Sequence, residues 1–138
     1  MRSRRKQGFT LVEMMVVVVI IGILGAIVVT TSVHYATKAR IKATEAQIKE
    51  IETALAGFNL ETGRYPTTDE GIRALVEQPG GFKGDWPKDG FLVDIPADGW
   101  ENELVYICPG VQNERFDIIS YGADGQEGGE DENADITN

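Results

Sequence analysis

The sequence is short of cysteine, histidine and positive charge, and each shortage removes a class of function. Its one cysteine, Cys108, cannot form a disulfide within the chain. Its one histidine, His34, lies directly after a long apolar run, at the expected exit from a membrane, so no Ser/His/Asp, Cys/His or zinc site can be assembled around it. Thirteen Lys and Arg face twenty-two Asp and Glu, which gives a formal net charge of −9. We therefore expect neither an enzyme nor a nucleic-acid-binding protein, because the latter needs a basic surface to neutralise phosphates.

Charge is also absent from a long stretch near the N-terminus. Residues 14–33 contain no charged side chain, and Glu13 is the one charge between residues 9 and 33. About 20 apolar residues in a helix cross a bilayer core, where a helix pairs its own backbone groups. Four basic residues in the first seven positions predict that the N-terminus stays in the cytoplasm. The pattern predicts a membrane-spanning helix over residues 9–33.

The helix is expected to continue beyond the apolar run as an amphipathic half over residues 34–62. This segment has no proline, and its apolar residues recur at helical spacing. They are Ile41, Ile48, Ile51, Leu55 and Phe58. We expect this stripe to pack against a domain of the same chain, and a coiled-coil dimer is the alternative interpretation.

Residues 63–138 have the pattern of a small domain. Gly63 and Pro66 are expected to end the long helix, and Thr67 with Glu70 has the capping-box spacing that starts a short second helix. Three short runs are predicted as strands: 91–95, 104–108 and 116–120. The predicted fold class is α+β, with a long helix packed on a short helix and a small antiparallel β-sheet.

The C-terminal segment is acidic, with six Asp or Glu and no Lys or Arg in the last fifteen residues. A solvated tail is one interpretation of this composition. A folded loop is the other, because glycines separate the carboxylates as turn residues do and Ile136 returns as an apolar anchor. Oxygen donors in a flexible loop are the ligands that Ca²⁺ takes, although the spacing is not that of an EF-hand.

The N-terminus, with a basic leader, Gly8, Phe9-Thr-Leu-Val-Glu13 and a long apolar run, resembles the class III signal of type IV pilins and type II secretion pseudopilins. The resemblance implies that a prepilin peptidase removes residues 1–8, cutting between Gly8 and Phe9, and methylates the new N-terminus. The positive amine of Phe9 would then lie at the edge of an apolar phase, where a lone charge is costly. Glu13 of a neighbouring subunit is the carboxylate that could pair with it and set the register of an assembly.

Two further stretches narrow this resemblance: Gly63 to Leu75, and Pro96 to Gly110 with Trp100 and Tyr106 inside it. Both are similar to segments of the G-type, or major, pseudopilins. The resemblance implies a pilin-like fold and a structural subunit that polymerises into a periplasmic helical filament, which drives export of folded proteins across the outer membrane. The alternative is a type IV pilin or a DNA-uptake pseudopilin, against which the missing cysteine pair counts.

The resemblance also implies partners and a location. The partners are further copies of the chain, the prepilin peptidase, minor pseudopilins, the inner-membrane assembly platform with its secretion ATPase, and the lipid bilayer. The chain is expected to cross the inner membrane of a Gram-negative bacterium once, with a cytoplasmic N-terminus and a periplasmic domain.

Finally, the resemblance implies a structural Ca²⁺ in a loop at about residues 121–135. The implied ligands are the side chains of Asp124 and Asp131, the backbone carbonyls of Tyr121 and Gln126, and a further oxygen from Glu132 or Asn133. Carboxylates and carbonyls are the hard oxygen ligands that this cation prefers.

Overall fold

The computed structural model describes residues 9–82 and 85–138, and the side chains of residues 27–34 are outside that description. The chain divides into two compact units, Met1–Ala36 and Thr37–Asn138. Gly8 and the rest of the predicted leader lie outside the described residues, so its removal stays a prediction.

The first unit consists mainly of the beginning of helix α1, which spans Leu11–Thr62. From residue 11 to residue 26 every residue is exposed. This stretch contains twelve Leu, Val, Met or Ile residues, Gly22, Gly25, Ala26 and one charged residue, Glu13. Among the residues described, no helix is both long enough and apolar enough to cross a membrane. The membrane span expected over residues 9–33 stays a prediction, and part of it lies outside the described side chains.

The second unit is built on the later part of α1. Its buried stripe contains the predicted Ile48, Ile51, Leu55 and Phe58, whereas Ile41 is half-buried. The helix ends where the sequence predicted, because Gly63 adopts a left-handed φ of 74° and donates its N–H to the Asn59 carbonyl at 2.8 Å. Glycine adopts this conformation without steric cost, which makes it the common residue after a helix.

A three-stranded antiparallel sheet in the order β1-β2-β3 packs against this stripe. Its strands are β1 (Val105–Ile107), β2 (Asp117–Ser120) and β3 (Ile136–Thr137). Tyr106 pairs with Ile118, and Ser120 pairs with Ile136. The predicted strands over 104–108 and 116–120 are therefore confirmed, and β3 is an additional strand formed by the residue expected to act as an apolar anchor.

The prediction of a strand over residues 91–95 was wrong. The N–H groups of Phe91 and Leu92 both donate to the Leu75 carbonyl, at 2.7 and 3.0 Å, so this backbone follows a turn and not a ladder. Phe91 still enters the core, where its ring meets the edge of Phe58 at a centroid distance of 5.5 Å. Leu92 is buried and Phe91 is half-buried, whereas Val93 is 86% exposed, so only the start of this apolar run packs into the core.

The predicted second helix is shorter than expected. Thr67 and Glu70 form the expected reciprocal hydrogen bonds, since each backbone N–H donates to the other side chain, at 2.8 and 3.3 Å. The chain then makes turns and one 3₁₀ helix, Ile72–Leu75. Gly71 has a φ of 62°, a conformation that interrupts a regular α-helix immediately after the cap.

Buried polar groups hold the loops between the strands. Asp117 is 1% exposed and accepts the N–H groups of Val111, Gln112 and Asn113 at 2.6 to 2.8 Å. Burial alone raises the pKa of Asp117, but these donors outweigh it and the pKa is lowered. The carboxylate therefore stays charged and fixes the loop between β1 and β2.

Candidate assembly and cation-binding sites

Phe9, Thr10 and Glu13 form a compact arrangement at the start of α1. The Thr10 backbone N–H donates to Glu13 Oε2 at 3.3 Å, and the Glu13 N–H donates to Thr10 Oγ1 at 3.2 Å. This is a capping box, in which two otherwise unpaired amides at a helix N-terminus are satisfied. Phe9 is 81% exposed beside it. The sequence analysis did not predict Thr10 as a helix cap, although its Thr-x-x-Glu spacing is that of a capping box.

The capping box gives Glu13 a local partner without enclosing it. Both hydrogen bonds that its side chain accepts involve Oε2, and within the described residues Oε1 accepts none. A carboxylate is favourable near the positive end of the helix dipole. Glu13 is exposed near the start of α1. Cleavage before Phe9 would create an amine at the same end of the helix, one residue before Thr10.

The acidic C-terminal segment is a closed loop and not a frayed tail. The Ala123 N–H donates to the Glu132 carbonyl at 2.9 Å, which joins the two ends of the loop. Gly122 lies so close that a Cβ there would be 2.7 Å from the Asn133 carbonyl carbon. Asp124 follows this closure by one residue and Asp131 precedes it by one residue, so the two predicted side-chain ligands flank the point at which the loop closes.

Hydrogen bonds within the loop order its turns. Asp124 Oδ1 accepts the Gln126 N–H at 3.1 Å, and both carboxylate oxygens of Asp135 accept the Gly128 N–H at 3.0 Å. Asp131 has a φ of 55° and begins the 3₁₀ helix Asp131–Asn133. A non-glycine residue in this left-handed region is uncommon, and here it turns the chain back toward the closure.

The donor chemistry of the loop fits a cation with oxygen ligands. Asp124 and Asp131 are exposed. In the described part of the chain, no three or more His, Cys, Asp or Glu side chains are grouped so as to hold a metal ion. A shell of two carboxylates completed by carbonyls does not need three such side chains. Tyr121 and Gln126 belong to the same loop, and the bound ion stays a prediction.

The two alternatives for the further oxygen differ in their surroundings. Glu132 Oε2 accepts the Thr37 hydroxyl at 3.3 Å, so this carboxylate turns toward α1. Asn133 closes the 3₁₀ turn, where its N–H donates to the Glu130 carbonyl at 3.0 Å. Glu132 is therefore already engaged, whereas the Asn133 side chain accepts no hydrogen bond within the described residues, and the choice between the two as an additional ligand stays a prediction.

Residues distant in sequence position this loop, and sequence reasoning missed them. The Asn102 side-chain amide donates to the Gly122 carbonyl at 2.9 Å. Asp98, which is 4% exposed, accepts the Ser120 hydroxyl at 2.6 Å and the Asn102 N–H at 2.8 Å. An Asp-Gly dipeptide such as Asp98-Gly99 is common in turns, but nothing in the sequence indicates which strand that turn would contact.

Comparison with known proteins relates this geometry to one family. The family described as "Type II secretion system (T2SS), protein G" matches residues 31–138. The "Prokaryotic N-terminal methylation motif" matches residues 3–29. The two matches together include the apolar start of α1, the domain and the acidic loop.

Individual relatives extend over the whole chain. The type II secretion system core protein G of Pseudomonas aeruginosa is 44% identical, with 100% of this chain and 98% of the relative covered. The corresponding protein of Vibrio cholerae is 42% identical, with 100% and 95% covered. The crystal structure of the major pseudopilin from the type 2 secretion system of enterohaemorrhagic Escherichia coli matches with a TM-score of 0.62 at 33% identity, covering 73% of this chain and 87% of that one.

The structural match confirms the predicted pilin-like α+β fold, and the sequence matches confirm the predicted N-terminal motif and the G-type resemblance. The curated relatives are named core proteins of the secretion system, and the solved structure is named a major pseudopilin. The chain belongs to the protein G family of type II secretion systems, the major pseudopilins.

Proposed function

We propose that this chain is the major structural subunit of a type II secretion pseudopilus, a periplasmic helical filament that drives folded proteins across the outer membrane. One observation carries the proposal: an N-terminal methylation motif over residues 3–29 and a protein G domain over residues 31–138 occur together in one chain. In this role the chain is a building block and not an enzyme.

The N-terminal motif gives the proposed order of events. The chain inserts in the inner membrane with residues 1–8 in the cytoplasm and its domain in the periplasm. A prepilin peptidase cuts between Gly8 and Phe9 and methylates the Phe9 amine. The assembly platform and its secretion ATPase then add the processed subunit to a filament made mainly of copies of this chain. Minor pseudopilins are further components of that filament.

The capping box supports a role for Glu13 in this addition. A new Phe9 amine needs a carboxylate partner in an apolar surrounding, and Glu13 keeps Oε1 free of hydrogen bonds within the described residues. We propose that Glu13 of one copy pairs with the Phe9 amine of the next. The exposed apolar side chains of residues 11–26 then pack between copies.

The closed acidic loop supports a structural role for Ca²⁺. When bound, the ion would supply positive charge between Asp124 and Asp131, with carbonyl oxygens of Tyr121 and Gln126 and an oxygen of Asn133 or Glu132 beside them. The loop leads from β2 to β3, so holding it closed also keeps the last strand in the sheet. The chain's own part is to present oxygen donors from one loop.

The proposed function is tested in a bacterium whose own protein G gene is deleted and which secretes a folded reporter enzyme. Expression of this chain should restore reporter activity in the medium and yield filaments on overproduction. Mass spectrometry should find a processed chain that begins with N-methylated Phe9. Filaments without secretion, but with restored motility or DNA uptake, would instead identify a type IV pilin or a DNA-uptake pseudopilin. An intact Met1 in a strain with active peptidase would contradict both functions.

A further inference from the structure

Gly122, at the start of the acidic loop, has both of its backbone polar groups held by side chains from the domain. Its N–H donates to Ser120 Oγ at 3.3 Å, and its carbonyl accepts the Asn102 side-chain amide at 2.9 Å. Ser120 is fully buried and Gly122 itself is buried. The peptide planes on either side of Gly122 are therefore fixed from the interior of the domain.

The orientation of Gly122 decides where the Tyr121 carbonyl points. This carbonyl belongs to the same peptide group as the Gly122 N–H, and in a trans peptide the two point in opposite directions. The Tyr121 carbonyl therefore faces away from the buried Ser120. Within the described residues it accepts no hydrogen bond, and neither does the Gln126 carbonyl. Backbone oxygens without a protein partner are available as ligands for Ca²⁺.

One buried carboxylate holds both side chains that contact Gly122. Asp98 is 4% exposed. Its Oδ2 accepts the Ser120 hydroxyl at 2.6 Å, and its Oδ1 accepts the backbone N–H of Asn102 at 2.8 Å. A further bond from the Trp100 N–H to Oδ1, at 2.9 Å, fixes the turn that carries Asp98. Asp98 is thus connected to the loop through two separate side chains.

The chemistry of a carboxylate sets the direction of the bond to Ser120. A carboxylate only accepts hydrogen bonds, so the Ser120 hydroxyl gives its hydrogen to Asp98. The lone pairs of Ser120 Oγ are then left to accept the Gly122 N–H. An amide in place of the carboxylate could donate to Ser120 instead, and the hydroxyl would no longer be fixed as an acceptor for Gly122.

We propose that Asp98 is a positioning residue of the proposed Ca²⁺ site. It acts through Ser120 and Asn102 to hold Gly122, and it thereby keeps the Tyr121 carbonyl directed as a ligand. The proposal rests on the proposed function, because it concerns the structural Ca²⁺ described there. Loss of an outer group that orients a metal ligand typically weakens metal binding about 10- to 100-fold.

Two simpler roles for Asp98 predict different results. If Asp98 only stabilised the fold, its replacement would lower the melting temperature and leave the affinity of the folded chain for Ca²⁺ unchanged. If Asp98 only added negative charge near the ion, the effect of replacing it would not depend on Ser120.

Calorimetric titration of the detergent-solubilised full-length chain with Ca²⁺ tests the proposal, at a temperature at which each variant is folded. We expect Asp98→Asn, Ser120→Ala and Asn102→Ala each to raise the Kd about tenfold or more. Asp98→Asn combined with Ser120→Ala should bind hardly more weakly than Asp98→Asn alone, because both changes release the same Gly122 N–H.

Asp117→Asn is the matched control, because it makes the same change at a buried carboxylate that holds the loop between β1 and β2. It should lower the melting temperature in chelator and leave the Kd unchanged. Asn102 is half-buried, so Asn102→Ala provides the test if Asp98→Asn does not fold.

An unchanged Kd in Asn102→Ala and Asp98→Asn would overturn the proposal. So would losses of affinity that simply add in the Asp98→Asn and Ser120→Ala double variant. An unmodified chain that binds no Ca²⁺ would instead contradict the proposed calcium site itself, and this role of Asp98 with it.

Discussion

Arg64 and Glu70 form a two-point ion pair just beyond the end of α1. Arg64 Nη1 donates to Glu70 Oε2 at 2.6 Å, and Nη2 donates to Oε1 at 2.8 Å. The guanidinium also lies 5.7 Å from the centroid of the Phe58 ring. The hydrogen bond from Arg64 is the main reason why the pKa of Glu70 falls from 4.5 to about 2. One carboxylate thus links the helix end, the Thr67 cap and the core.

This ion pair predicts a stability change in acid. The folded-state pKa of Glu70 lies below its unfolded value of 4.5, so the pair stabilises the fold above about pH 4.5 and is lost as the pH falls toward 2. Glu70→Gln keeps a capping side chain but removes the charge, and we expect it to cost about 1 kcal/mol at pH 7. Urea unfolding of the detergent-solubilised chain, followed by tryptophan fluorescence, measures this. The exposed Glu77→Gln is the control, and equal costs at pH 7 and pH 2 would contradict the prediction.

Gly99 allows a close contact between the Asp98 turn and α1. A Cβ at this position would lie 2.8 Å from the Arg40 carbonyl carbon, and the Gly99 N–H donates to Thr44 Oγ1 at 2.9 Å. Because backbone cannot move aside easily, we expect Gly99→Ala to lower the free energy of unfolding by about 2 to 3 kcal/mol. Gly80→Ala, with nothing within 4 Å and no left-handed φ, should change it by less than about 0.5 kcal/mol. Similar melting temperatures for the two variants would show that this contact can relax.

Glu13 is expected to matter for assembly and not for insertion. Glu13→Leu should leave the chain in the membrane fraction while filament yield falls at least about tenfold, because a buried amine loses its partner. Thr10→Ser preserves the capping box and should behave like the unmodified chain. Fractionation and electron microscopy of the same cultures provide both readouts. Normal filaments with Glu13→Leu would mean that another group pairs with the Phe9 amine.

Calcium is expected to stabilise the folded domain. A ligand that binds only the folded state adds about 2.7 kcal/mol at a hundredfold excess over its dissociation constant. The detergent-solubilised chain should therefore melt at a clearly higher temperature in millimolar Ca²⁺ than in chelator, and Mg²⁺ should substitute poorly because it demands a tighter octahedral shell.

Variants of the loop assign this effect to residues. Asp124→Ala and Asp131→Ala should each remove most of the difference between Ca²⁺ and chelator, whereas Glu127→Ala, a carboxylate outside the ligand set, should retain it. Equal melting temperatures with and without Ca²⁺ in the unmodified chain would show that the loop closes through its own hydrogen bonds alone.

The parts of the fold that could be predicted depend on short spacings. The buried stripe of α1, the stop at Gly63 and the Thr67–Glu70 cap each involve residues at most a few positions apart, where helical geometry relates sequence to space. The prediction of a strand over residues 91–95 was wrong because the partner of this segment is distant in sequence. The Phe91 and Leu92 N–H groups donate to Leu75, sixteen and seventeen positions earlier, and no local pattern contains that partner.

In the acidic loop, too, the local features could be predicted and the distant contacts could not. The spacing of glycines and carboxylates indicated a turn-rich segment with oxygen donors, and the structure closes that segment between Ala123 and Glu132. The groups that hold it are remote, namely Asn102 at Gly122 and Thr37 at Glu132. A single sequence does not reveal such contacts, because many polar side chains could donate a hydrogen bond to the loop equally well.

The position of β2 between β1 and β3 leaves the last strand to cover one edge of the sheet. β3 is the last element of the chain and follows β2 by sixteen residues. Until Ile136 and Thr137 have paired, one side of β2 has open backbone groups beside a largely assembled core, a state prone to pairing with other chains. Whatever holds the loop between β2 and β3 closed therefore also protects the subunit from aggregation before it is assembled.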